Sequence, residues 1–178
     1  MMSPARKPTK TAAPSAKEAA ARSASALARI PEMDDADGLR ALLRNAERLD
    51  AGDVRDAAFR RLAFVQTDVE AEPGSLEHDF WQTIHAFEQL MREDKGKAVR
   101  LTRVRQKITR VGEVKTLSDF AAATAENPAF DELIARGMSD LTGEAVILRH
   151  PDEFTEDTRA DATARLTEAG ADPTASAA

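Results

Sequence analysis

Cysteine is absent from this chain of 178 residues, and so is tyrosine. Without thiols there can be no disulfide framework, no thiolate metal site and no cysteine nucleophile, and the composition fits a reducing compartment. Aromatic residues make up only 4%, with one Trp and seven Phe, so a modest core built from Leu, Ala, Val and Phe is expected. No apolar run approaches the roughly 18 residues needed to cross a bilayer, and the N-terminus lacks the apolar centre of a secretory signal. A cytoplasmic protein without a membrane partner is expected. The first thirty residues, rich in Arg, Lys, Ser and Ala, also have the composition of an organellar transit peptide. The chain contains no HExxH, P-loop or GxGxxG pattern. Of its three histidines, His78 and His85 stand seven apart, about 10.5 Å along a helix, too far to share one metal. No metal or cofactor is expected.

What the chain does have is charge, sorted into blocks. The formal net charge is −6. Residues 1–30 carry six Lys or Arg against one acid, 31–94 carry seven against 16, 95–115 carry eight against one, and 116–178 carry four against 13. Segregation of this kind bears on what a surface attracts and says little about fold. The first block holds Pro4, Pro8 and Pro14 and few side chains able to offset the entropy of ordering. A disordered basic arm over 1–30 is expected, and a disordered tail over 171–178.

Between these ends the periodicity is helical, which predicts an all-α protein: a compact array of about six to eight short helices forming a single domain over 31–170. Leu39, Leu42, Leu43, Ala46 and Leu49 recur at spacings of three and four after Asp35 or Asp37 as N-cap. Asp53 caps a second helix with Val54, Ala58, Leu62 and Val65 inward, and the short turn between the two predicts an antiparallel hairpin. Ser75 caps the longest helix, 76–94, whose inner stripe is Leu76, Phe80, Ile84, Phe87 and Leu90 or Met91. Thr116 with Asp119 reads as a capping box for a short helix to about Thr124. Asn127 and Pro128 start another that closes at Gly137. Ser139 is the expected cap of the next element, in which the continuous run Ala145, Val146, Ile147 and Leu148 suits either a buried helix or a short buried strand. Helix is favoured, because no partner strand is visible and a lone strand leaves its backbone groups unpaired. Thr155 caps a last helix to about Ala169.

The stretch KAVRLTRVRQKITRVG, residues 97–112, holds six positive charges and no negative one. As a helix over 97–111 it places Leu101, Val104, Ile108 and Val111 within about 80° of one another, a buried face. Arg100, Arg103, Lys107 and Arg110 then form a row on one flank, with Arg105 on the other and Lys97 at the edge. Such a row suits the phosphates of a nucleic-acid backbone, since a guanidinium fork pairs two phosphate oxygens at once. Gln106, with Thr102 and Thr109, can reach base edges or further phosphates. The patch contains no aromatic residue, which argues against stacking on single-stranded bases and for backbone contacts. The expected function is therefore non-catalytic nucleic-acid binding, DNA ahead of RNA, through Lys97, Arg100, Arg103, Arg105, Gln106, Lys107 and Arg110 with help from the basic arm.

Two other readings of the same stretch stand beside it. The basic helix can complement its own acidic neighbours, with Asp131, Glu132 or Glu93 as candidates, or it can dock an acidic protein as a helical adaptor. A helix-turn-helix over 97–125 is disfavoured, because the basic helix comes first and not second. A monomer is expected, since few apolar residues are surplus to the core. One constellation suggests chemistry: Trp81, His85 and Glu88, spaced four and three on a flank of the long helix, where a carboxylate can orient an imidazole. A surface Glu–His pair beside a core Trp is the plainer reading. His150, next to Arg149, reads as compensation of a helix C-terminus.

Overall fold

The computed structural model describes residues 15–66, 70–123 and 127–177. Among them run nine α-helices, α1 (Ala16–Arg29), α2 (Ala36–Arg48), α3 (Gly52–Val65), α4 (Leu76–Lys95), α5 (Thr102–Ala121), α6 (Pro128–Ala135), α7 (Gly143–Arg149), α8 (Glu156–Glu168) and α9 (Pro173–Ser176), with three 3-10 turns at Ile30–Glu32, Ser139–Leu141 and Pro151–Glu153. The all-α expectation holds, and the described residues contain no strand. The apolar run at 145–148 is helical within α7, capped by the Thr142 side chain, which accepts from the Ala145 N–H; Ser139 begins the preceding 3-10 turn instead.

Local signals explain most boundaries. Ser75 accepts from the His78 N–H to start α4, and Gly96 ends it in the left-handed region at φ 65°. Asn127 caps α6 with Pro128 in its first turn, and Thr155 caps α8. Asp35 caps α2 by accepting from the Asp37 and Gly38 N–H groups. Asp53 does not cap α3, which begins one residue earlier, after Ala51.

Helices α2 and α3 form the expected antiparallel hairpin and share the most extensive packing in the molecule. Their Leu39, Leu43, Ala46, Val54, Ala58, Phe59 and Leu62 make one core cluster, joined by Ile30, Leu133 and Met138. Leu49, expected on that face, lies 56% exposed, because α2 has ended and the chain is already turning. A second cluster gathers Phe80, Ile84, Ile108, Leu117, Val146, Ile147 and Ala162 from α4, α5, α7 and α8. The long helix α4 joins the two: Phe80 and Ile84 serve the second cluster, while Ala86, Phe87 and Leu90 serve the first. Burying each of the larger side chains contributes about 1.5–3 kcal/mol, and α4 contributes to both clusters.

Two boundaries of the domain are corrected. The disorder expected over 1–30 does not extend across 15–30, and residues 1–14 lie outside the described residues. Ser15 and Glu18 close a reciprocal capping box on α1, whose Ala26 and Leu27 pack against the first cluster, and Ile30 is buried. An alanine-rich stretch has low cost for helix formation, and two apolar residues suffice to dock it. The tail expected to be disordered over 171–178 contains α9, with Asp172 as cap and Ser176 buried, its Oγ donating to Ser139 Oγ at 2.7 Å.

The basic stretch is the largest local departure. Residues 97–101 are not helical; α5 starts at Thr102, and Gly112, at φ 80° and ψ 174°, breaks it in the middle. That conformation is open to glycine at little cost and to other residues only under strain. The Thr116 and Asp119 capping box does not form. Thr116 lies inside the helix and its hydroxyl donates back to the Gly112 carbonyl at 2.7 Å, as threonines within helices commonly do.

Candidate nucleic-acid interface

Nothing within 97–101 supplies a side-chain cap for α5; the support comes from α4. Glu88 accepts the Leu101 N–H at 2.8 Å through Oε1, and it holds Arg105 through two bonds, Nε to Oε1 at 2.9 Å and Nη2 to Oε2 at 2.8 Å. The guanidinium of Arg105 lies over the Trp81 ring at 4.8 Å, and His85 Nδ1 stands 3.7 Å from Glu88 Oε2. Trp81, His85 and Glu88 do meet, as their spacing predicts. Their carboxylate, however, is committed to clamping the start of α5. Three surface grooves of about 340, 490 and 590 Å³ are all lined by other residues.

This clamp divides the seven expected contact residues. Arg105 borders the buried face and is only 15% exposed, inside the Glu88 pair. Lys107, on the other border, reaches Asp119 at 2.7 Å and lies over the Phe120 ring at 5.8 Å. Asp119 also takes Lys115 at 2.7 Å, and hydrogen bonds from Lys107 and then Lys115 hold its carboxyl below the usual range. The acidic neighbours expected to complement the basic stretch do not do so: Glu93 and Glu132 both bind Arg136, at 2.9 and 2.7 Å. Glu88 and Asp119 take their place.

The other five residues face outward. Lys97 and Arg100 are exposed on the non-helical segment before α5, and Arg103, Gln106 and Arg110 are exposed on the helix. At 100° per residue those three lie within about 60° of one another, opposite Leu101, Val104 and Ile108. The expected row Arg100, Arg103, Lys107, Arg110 is thus replaced by Arg103, Gln106, Arg110, at spacings of three and four. Among the described residues no carboxylate lies within ion-pairing distance of Lys97, Arg100, Arg103 or Arg110. Val111 is not buried as expected: it is 39% exposed beside Gly112, and Val114 is 36% exposed.

Sequence reasoning missed a second polar centre. Asp79, on α4, is buried and accepts from Arg149 Nε at 3.0 Å and from His150 Nε2 at 3.1 Å, with His78 Nδ1 at 3.4 Å from its other oxygen. Arg149 also donates to the carbonyls of Asp140 and Ser176 at 2.9 and 3.3 Å, so His150 and Arg149 fasten α7 to α4 and α9 and do more than compensate a helix end. The one available signal is a charged residue, Asp79, next to the inner stripe of α4. Burial works to raise the Asp79 carboxyl, and the His150 bond, the Arg149 charge and the His78 bond outweigh it, leaving the group below its ordinary value. Glu88 is held low in the same manner: burial opposes, and Arg105, the Leu101 N–H and His85 prevail.

Both groups have folded values depressed below the unfolded ones. Each therefore contributes stability that is present above the ordinary carboxylate range and lost as pH falls through the folded value. Urea unfolding midpoints should change little between about pH 7 and 5 from these two groups and fall steeply below about pH 4. Asp79→Asn should reduce that acid-side fall; an acid limb identical to that of the parent protein would contradict the assignment.

Comparison of the chain with family models, with curated proteins and with solved structures returns no match. Among the described residues no helix is long and apolar enough to cross a membrane.

Proposed function

We propose that the protein is a non-catalytic nucleic-acid-binding protein that holds phosphates through Lys97, Arg100, Arg103 and Arg110, with Gln106 between the last two on the helix. The observation that carries the reading is the freedom of those four cations: in a chain with 31 acidic residues, none of the four is neutralised by a described neighbour. Arg105 and Lys107 leave the contact set and become the parts that hold and orient the helix. The basic residues Arg6, Lys7 and Lys10 add charge that needs no fixed geometry to attract a polyanion. A duplex, DNA ahead of RNA, is the proposed target rather than a single strand, since no aromatic residue lies within 97–111 to stack on bases.

The test is a fluorescence-anisotropy titration against a generic duplex DNA and a structured RNA at three salt concentrations. Affinity that falls log-linearly with salt is expected, with the duplex bound at least as well as the RNA. No binding to either at about 50 mM salt, where phosphate-directed binders are strong, would end this reading. A second reading then takes over, because Val111 and Val114, close in sequence to Arg110, are exposed and add an apolar component suited to an acidic protein partner. That adaptor predicts saturable one-to-one binding and little affinity for generic duplex.

A further inference from the structure

The block 31–94 is strongly acidic, yet the fold extracts arginines from it and gathers them. Arg40 and Arg44 on α2, Arg55 on α3, Arg92 on α4 and Arg136 at the end of α6 all line one groove of about 340 Å³, against two carboxylates, Glu47 and Glu93. Gln89 is buried within it, and its amide donates to Glu93 at 3.0 Å. Glu93 is further committed to Arg136, at 2.9 Å. Arg40 and Arg55 are paired with Asp37 and Asp56, both at 2.8 Å, and neither acid lines the groove.

Arg44 and Arg92 have no carboxylate within ion-pairing distance among the described residues. The Nε of Arg40 is buried without a hydrogen-bond partner. Five guanidinium groups lining one groove against two carboxylates leave it an excess of positive charge, and like charges repel. An anion in the groove offsets the positive charge gathered there. Its donors are planar forks, which match the tetrahedral oxygens of phosphate and bind two of them at a time. The volume lies at the small end of the range for ligand pockets, enough for a phosphorylated group and too little for a large apolar ligand.

We infer that the groove between α2, α3, α4 and α6 is a phosphate-binding site, with Arg44 and Arg92 as its primary ligands and Arg40, Arg55 and Arg136 around them. The phosphate is carried either by a free small molecule or by a nucleic-acid end, and Gly96, on the groove's rim, leads directly to Lys97 and the proposed nucleic-acid face. The site does not depend on that face, since no residue is shared between them.

The experiment titrates inorganic pyrophosphate into the full-length protein by calorimetry, with sodium chloride at equal ionic strength as the control, and repeats it on Arg44→Ala/Arg92→Ala. Saturable binding weakened about tenfold or more in the double variant is expected, since two charge-assisted contacts are removed. The unliganded variant should melt close to the parent protein, because neither guanidinium has a described carboxylate partner to lose. Heat no greater than that of chloride, binding retained in the variant, or a marked fall in its unliganded Tm would each overturn the assignment. Given binding, a short duplex with and without a 5′-phosphate separates the two sources. Tighter binding of the phosphorylated duplex, lost in the double variant, assigns a nucleic-acid end; equal binding assigns a free phosphorylated molecule. Pyrophosphate binding lost in Arg44→Ala/Arg92→Ala while duplex DNA is still bound with the parent salt slope keeps this result distinguishable from failure of the nucleic-acid reading.

Discussion

Replacing Glu88 with Ala should cost about 3–5 kcal/mol of stability, the range for removing one partner of a buried ion pair. The expectation rests on what the carboxylate holds. It is 12% exposed, it satisfies Arg105 through two bonds, and it takes the Leu101 N–H that α5 has no cap of its own to satisfy. Without it Arg105 keeps a full charge in a site 15% exposed to solvent, against Trp81, and loses both bonds to the carboxylate. The partner replacement should behave differently. Glu88→Leu together with Arg105→Met removes both charges and keeps the apolar stems, so it should recover much of the loss, because removing one partner of a buried pair costs more than replacing both by apolar side chains. Denaturant midpoints of the two single variants and the double variant form the cycle. Additive losses would mean that the two side chains stabilise the fold separately and that no clamp exists.

The same clamp shows where the sequence is legible and where it is not. The stripe of α4, the Asn127–Pro128 start of α6 and the Thr155 start of α8 are local patterns, written within one or two turns, and they hold in the structure. The basic stretch departs from its local pattern for a non-local reason. Its spacing from 97 onward satisfies a helix, but nothing at 97–101 can cap one, and the support for Leu101 comes from a carboxylate 13 residues back on another helix. The Thr116 and Asp119 spacing of three satisfies a capping pattern, while Thr116 finds the Gly112 carbonyl and Asp119 finds Lys107 and Lys115. Which cations of the patch are free is illegible for the same reason, since Arg105 and Lys107 are distinguished from Arg103 and Arg110 only by partners 17 and 12 positions away. The arginine groove is hidden further still: its five guanidinium groups come from four helices, three of them inside the block that composition marks as acidic.

Four substitutions made together, Lys97→Ala, Arg100→Ala, Arg103→Ala and Arg110→Ala, should produce the largest change in function. Each removes an exposed cation with no described counterion, so the fold should be affected within about 0.5 kcal/mol per site. Every phosphate that is no longer neutralised should flatten the dependence of log K on log salt by about 0.9 on duplex DNA, so the slope should fall by roughly 3 to 4 in the quadruple variant. The weakening should be similar across unrelated sequences, because phosphate contacts position a protein without reading bases. Gln106→Ala separates the two effects: a sequence-dependent loss with an unchanged salt slope would make Gln106 a base contact. Lys107→Ala is the internal control. It keeps all four free cations and removes one that is already neutralised by Asp119, so its salt slope should match that of the parent protein. A slope that falls as much for Lys107→Ala as for Arg103→Ala would place the phosphates on the flank of the helix, where sequence spacing alone puts them. A quadruple variant with an unaltered slope would remove the basic segment from the interface altogether.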